Sequence, residues 1–179
     1  RGTPVHVTQR VVPEVGRMRK RKGYPAVRWA LAVVCRRIES FRVVHISIQH
    51  NHLHLIVEAK DKGTLSRGVQ AFAISCARQL NRRLGRKGTV FSDRYHCEHL
   101  SSPRQTRNAL AYVINNWRKH REDRGHSAKF DPFSSGIAFA GFTGAKALPI
   151  PLPDDAELLP TAVARFWMLT TGWRRHKTI

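Results

Sequence analysis

The chain has 179 residues, 41% of them hydrophobic, which suffices for one sizeable core and falls short of two ordinary domains. Lysine and arginine number 32 against 12 aspartates and glutamates, a formal net charge of +20, so the expected partner is a polyanion, most often nucleic acid. No apolar run approaches the roughly 18 residues of a membrane span, and the widely spaced Cys35, Cys76 and Cys97 speak against a disulfide framework or a thiolate zinc site.

A reducing cytoplasm fits that cysteine usage. Arg1-Gly2-Thr3-Pro4 has no signal-peptide core, and the missing initiator Met points to a start inside a longer chain. From Val5 to Val12 the residues alternate, with Val5, Val7, Gln9 and Val11 on one face and His6, Thr8, Arg10 and Val12 on the other, as in a strand. The basic stretch Arg17 to Lys22 reads as a loop, either solvated or clamping phosphates. Helical spacing follows from Pro25 to about Ser40, with Val27, Leu31, Val34 and Ile38 on one stripe.

Arg42 to Gln49 returns to alternation, placing Val44, Ile46 and Ile48 opposite His45, Ser47 and Gln49. Residues 49 to 51 leave room only for a tight turn into His52-Leu53-His54-Leu55-Ile56-Val57-Glu58, so the two strands form a hairpin. Side chains two apart on a strand share a face, so His52 and His54 point the same way from positions about 7 Å apart. Such a pair is either a satisfied couple at a sheet edge or a seat for a metal ion.

Thr64 is placed to cap a second helix running to about Leu84, which Gly85 to Gly88 stops; Val90 to Leu100 then reads as a fourth strand. Strand, helix, strand, strand, helix, strand is the order of an α+β, ferredoxin-like antiparallel sheet with two helices on one face and the first and third strands central. By parity the other face collects His6, Thr8 and Arg10, and His45, Ser47 and Gln49, beside His52 and His54.

A third helix is expected from Ser102, spaced with Gln105 as a capping box, to about Glu122. Leu110, Val113 and Trp117 form its packing stripe. Tyr112 and Asn116, four apart, share a neighbouring face with Asn115 close by. Residues 1–124 are expected to form one domain, and residues 125–179 an irregular extension with a basic, aromatic tail. Within it, Pro160 to Thr170 reads as a short amphipathic helix. Gly172-Trp173-Arg174-Arg175-His176 has the composition of a base-stacking, phosphate-contacting end, or of a tryptophan tucked onto the core.

With the third helix over the open face, two imidazoles, an amide oxygen and a phenol meet at one point. Two nitrogens and one oxygen leave about three positions of a divalent ion free, an open and therefore catalytic kind of site. The competing set His96, Cys97, Glu98 and His99 alternates faces on its strand and does not converge. Tyr112 is the candidate nucleophile, its phenolate favoured by the surrounding cations; the sequence identifies no general base, with His120, two turns on, and Lys119 merely nearby. Carboxylate nuclease chemistry is disfavoured: acids are few, and Asp154-Asp155 sits in the extension. Glu58 shares the parity of the histidines but lies about 13 Å further along, which favours a structural role.

His52-Leu53-His54 before an apolar strand, Gly88-Thr89-Val90-Phe91-Ser92-Asp93-Arg94-Tyr95, Tyr112-Val113-Ile114-Asn115-Asn116 on a helix, and the Gly172 to His176 ending together resemble the HUH single-tyrosine transposases, in particular REP-associated tyrosine transposases. The resemblance implies a bacterial endonuclease dependent on Mg²⁺ or Mn²⁺ that cuts and rejoins single-stranded DNA beside a hairpin through a 5′-phosphotyrosine, in DNA recombination and transposition. It implies His52, His54 and Asn116 as metal ligands, with Asn115 the alternative third ligand, and Tyr112 as nucleophile. Arg10, Arg17, Arg19, Lys20, Arg174 and Arg175 are the expected DNA contacts, and the protein is expected as a monomer or a homodimer. The sequence departs from the family where Trp117 follows Asn116 in place of an Asn-Pro-Val run, and where asparagine replaces the longer glutamine of mobile-element relatives. A binding module of the same fold that grips DNA or RNA hairpins without cutting is the competing class, and a basic ribosome-associated protein a third.

Overall fold

Strand β1 (Val5–Arg10), helix α1 (Gly23–Arg37), strands β2 (Phe41–Ile48) and β3 (His52–Ala59), helix α2 (Lys62–Leu84) and strand β4 (His96–His99) follow in the expected order. The structure is a computed structural model that describes residues 2–20, 22–37, 40–121, 130–139, 141, 158–177 and 179. All strand pairings are antiparallel and the sheet runs β2-β3-β1-β4, so the ferredoxin-like arrangement is present with the His52 strand inside it.

Alternation along β1 and β3 sends Val5, Val7, Leu53, Leu55 and Val57 toward α1 and α2, where they join Leu31, Phe72 and Leu80 in the main core. Close approach of α2 depends on Gly68, because a Cβ there would stand 2.2 Å from the Phe41 ring. Asp61, not Thr64, caps this helix: its Oδ1 accepts the Thr64 N–H at 2.7 Å, and its charge suits the positive end of the helix dipole. Gly85, at φ 65°, ends the helix in the left-handed conformation that glycine adopts without strain.

Two strands differ from expectation. A β-bulge between Val43 and His45 breaks the alternation of β2, so Val44 turns away from Ile46 and Ile48 and packs on the opposite side of the sheet. The fourth strand is also shorter than 90–100: Phe91 makes one isolated bridge with Val11, and pairing with β1 resumes only at His96. Between them the Ser92 N–H turns in to bond the Arg10 carbonyl.

Helix α3 (Pro103–Lys119) lies across the other face of the sheet, where Leu110 and Val113 pack against Val44 and Ile56. Ser102 caps it by accepting the Gln105 N–H at 3.2 Å, while the Gln105 side chain accepts from Ser101 rather than closing the reciprocal half of the box. The helix stops at Lys119, and Arg121 takes a positive φ of 57°. The expected end at Glu122 lies outside the described residues.

The described parts of the extension fold back onto this body. Residues 131–135 cover the free edge of β2, with the Ile48 N–H donating to the Phe133 carbonyl and the Ile46 N–H to Ser135 Oγ. The stretch before Trp167 is not helical, and helix α4 spans only Trp167–Thr170. Its preceding backbone is held elsewhere: the Ala162 N–H donates to the Val43 carbonyl, and the Arg165 and Phe166 N–H groups donate to the buried Glu58 carboxylate. Arg42 closes on the same carboxylate at 2.6 and 2.8 Å, which makes Glu58 structural, as its position implied. Trp173 settles into the second core beside Leu110 and Leu169 with its indole N–H on the Leu169 carbonyl, which selects the packing reading of that residue.

No helix among the described residues is long and apolar enough to cross a membrane.

Candidate active site

The central strands bring the polar residues together by register. Thr8 pairs with His54 and Arg10 with His52, so the polar face of β1 lies directly beside both histidines. The expected contribution of β2 is otherwise used: Ser47 accepts a 2.6 Å bond from Gln49 Nε2, and His45 meets Ser135 at 3.2 Å, all of them drawn into local partners.

His52 Nε2 and His54 Nε2 lie 3.0 Å apart. Their other ring nitrogens are occupied, since His52 Nδ1–H donates to Asn51 Oδ1 at 2.8 Å and His54 Nδ1 sits 3.1 Å from both Thr8 Oγ1 and His6 Nε2. With the His54 proton also at Nδ1, which its contacts with Thr8 and His6 allow, two Nε2 lone pairs face each other, an arrangement that suits a cation between or beside them. A proton does not serve near neutrality. Burial first, and then repulsion from neighbouring positive groups, pushes His52 to about 4 and His54 to about 3.

A divalent ion fits. Two nitrogens bound at about 2.1 Å and at right angles stand about 3.0 Å apart, the spacing observed. Among the described residues no group of three His, Cys, Asp or Glu side chains could hold a metal, so a third protein donor has to be of another type. Asn116 qualifies: it is 1% exposed, and neither Oδ1 nor Nδ2 has a hydrogen-bond partner among the described residues. An unsatisfied buried amide costs about 1–3 kcal/mol, which a ligand to its oxygen recovers.

Helix periodicity aims that amide. Tyr112 rests edge-on to His54 with ring centroids 5.1 Å apart, and His120 rests against His52 at 5.5 Å. Asn116 lies four residues after Tyr112 on α3 and four before His120, which follows the end of the helix, and so shares their side of it. Asn115 is half-buried on the adjacent line of the helix. Tyr112 is 37% exposed, its ring also meets His6 at 5.9 Å, and Lys119 Nζ lies 5.0 Å from its centroid. The arrangement combines an accessible phenol with one buried and one half-buried imidazole.

The expected DNA contacts divide. Arg10, Arg17, Lys20, Arg174 and Arg175 are exposed. Arg19 is not available in the way expected: its guanidinium forms a fork at 2.8 and 2.9 Å with buried Asp131 and donates to the Ile48 carbonyl, tying the extension to the β2–β3 turn. No local pattern announces this pair, because Asp131 lies far along the chain in an aperiodic stretch. Arg175 stacks over exposed Trp167 at 4.9 Å and Arg174 over Trp173 at 5.5 Å. His96, Cys97, Glu98 and His99 are all exposed. Asp154 and Asp155 lie outside the described residues.

A sheet with paired central histidines and a tyrosine-bearing helix across its open face defines the class. The family model for IS200-like transposases matches residues 17–116, and the chain belongs to that family. Among solved structures it resembles a REP-associated tyrosine transposase bound to a REP hairpin, with 17% identity, a TM-score of 0.56, and coverage of 92% of this chain and 93% of that one. At that identity the likeness establishes the fold. A protein of Deinococcus radiodurans described as a transposase is more distant, at 13% identity and a TM-score of 0.47, covering 72% of this chain and 94% of its own. No curated protein matches the chain.

Proposed function

We propose that this transposase-family chain is a metal-dependent endonuclease that cuts and rejoins single-stranded DNA beside a hairpin through a 5′-phosphotyrosine. The observation that carries this reading is the contact of Tyr112 on α3 with His54, and of His120 just past the helix end with His52, with Asn116 midway between the two along the chain. The net charge of +20 supports a nucleic-acid substrate, and the hairpin bound by the REP-associated relative supports its form.

His52 Nε2, His54 Nε2 and Asn116 Oδ1 would hold a Mg²⁺ or Mn²⁺ ion. When bound, such an ion draws charge off a phosphodiester oxygen and favours attack at phosphorus. Tyr112 Oη forms the new bond to phosphorus and the bond to the 3′ oxygen breaks; the phenol gives up a proton and the departing 3′ oxygen takes one. Because a phosphodiester is conserved, attack by the 3′ hydroxyl reverses the step without ATP. Lys119, beside the phenol ring, supplies positive potential for the phenolate. Arg10, Arg17, Lys20, Arg174 and Arg175 contact the DNA. The site is complete within one chain, since α3 covers its own sheet.

Labelled hairpin DNA incubated with Mn²⁺ or Mg²⁺ tests this. A covalent protein–DNA adduct is expected from the native chain and none from Tyr112→Phe. A module that grips hairpins without chemistry gives only a salt-sensitive shift with both.

A further inference from the structure

On the face of the sheet away from the histidines, α1 and α2 enclose a groove of about 430 Å³ lined by Trp29 and Val33 from one helix and Ala71, Ile74, Ser75 and Arg78 from the other. Trp29 is 49% exposed and Ile74 45% exposed, so two large apolar side chains meet water at its walls. Neither helix carries a carboxylate anywhere along its length. The two helices that wall this apolar groove therefore contribute cations and no carboxylate.

The cations continue beyond it. Arg82 follows Arg78 by one turn on the same side of α2, and Arg86 and Lys87 follow where the helix ends, about 12 Å from Arg78. The loop then runs onto the end of β1: the Val12 N–H donates to the Val90 carbonyl and the Ser92 N–H to the Arg10 carbonyl. Arg10 is the cross-strand partner of His52. Cations thus recur from the Trp29 groove along α2 and, past a loop that also carries Asp93 and Arg94, at Arg10 beside the histidine pair.

We propose that this groove and these cations form a second binding site, for single-stranded nucleic acid, with a base laid on Trp29 and the phosphates following Arg78, Arg82 and Lys87 toward Arg10. An exposed indole among guanidinium groups is the combination that holds unpaired bases irrespective of sequence. An acidic amphipathic helix is the less suited occupant: seated in the groove it would span about two turns and leave the cations past Arg78 unengaged. The site rests on the nucleic-acid reading above but not on its chemistry. It keeps a strand attached on one face of the sheet while its end is handled on the other.

The test uses the Tyr112→Phe chain, so that no covalent product forms, with homothymidine strands of about 30 and about 6 nucleotides. Trp29→Ala and, separately, Arg78→Glu are expected to weaken binding of the long strand about tenfold or more, with the short strand little affected; Arg78→Glu should also lower the salt slope by about 1, and Trp29→Ala should leave the slope unchanged. Photocrosslinking of a bromouracil-substituted long strand should label the peptide containing Trp29. Unchanged affinity in both variants with no label at Trp29 overturns the proposal, as does an acidic peptide that binds the groove without displacing the strand. Adducts from the otherwise native Trp29→Ala chain on a minimal hairpin should match those of the parent. Labelling at Trp29 together with no adduct from the parent supports this site and removes only the catalytic reading.

Discussion

Tyr112 stands edge-on against His54, ring centroids 5.1 Å apart, one residue on a surface helix and the other buried in a central strand. The phenol is on the same side of the sheet as the imidazoles and open to solvent, which is the geometry that a tyrosine attacking beside a metal ion requires. Burial of the hydroxyl in packed hydrocarbon would have excluded it.

Asn116 separates a metal site from a merely packed histidine pair. In metal-free protein, Asn116→Leu removes a buried unsatisfied amide and should leave stability unchanged or raise it by about 1 kcal/mol. With Mn²⁺ at about a hundred times its dissociation constant, the native chain should gain about 2.7 kcal/mol and the variant much less. Thermal melts with and without Mn²⁺ read both effects, and an undiminished response in Asn116→Leu would rule it out as a ligand. His54→Ala should abolish the response.

Acid should destabilise the fold through His45. Burial lowers its pKa from 6.5 to about 4, so the folded state binds fewer protons than the unfolded state at any pH between these values. Its contribution is therefore complete above pH 6.5 and lost as pH falls toward 4, by about 3 kcal/mol in all. Urea melts across this range should show a shallower slope for His45→Gln than for the native chain. An equal slope in the two would mean that other groups govern the acid limb.

Removing the Glu58 carboxylate should loosen the tail. Glu58→Ala leaves Arg42 without its ion partner and frees the Arg165 and Phe166 N–H groups, at a cost of about 3–5 kcal/mol. Limited proteolysis between residues 158 and 177 should accelerate well beyond any change elsewhere in the chain. Protection equal to that of the native chain would contradict the anchoring role.

The two tail tryptophans should behave differently. Trp173, 2% exposed, should cost about 3–5 kcal/mol on replacement by alanine. Trp167, 47% exposed under Arg175, should cost well under half of that while weakening hairpin binding. Denaturation and gel-shift titrations of the two variants compare them directly.

The strand order, the central position of β3 and the covering of its polar face by α3 were legible because each rests on local periodicity: two residues for a strand, 3.6 for a helix. That same periodicity put His52 beside His54, and Tyr112 one turn from Asn116. Where periodicity was interrupted the reading slipped. A single bulged residue turned Val44 to the other face, and a carboxylate from mid-sheet claimed the N–H groups that a helix from Pro160 would have used.

By itself, then, the sequence determined the elements, their order and the chemical types gathered on one face, since those follow from neighbours a few residues apart. Tertiary structure alone decided which polar groups remain unspent. Arg19 is consumed by Asp131, Ser47 by Gln49 and Glu58 by the tail backbone, whereas the Asn116 amide has no hydrogen-bond partner among the described residues. Hydrogen-bond satisfaction is set by distance in space, and no spacing along the chain reports it.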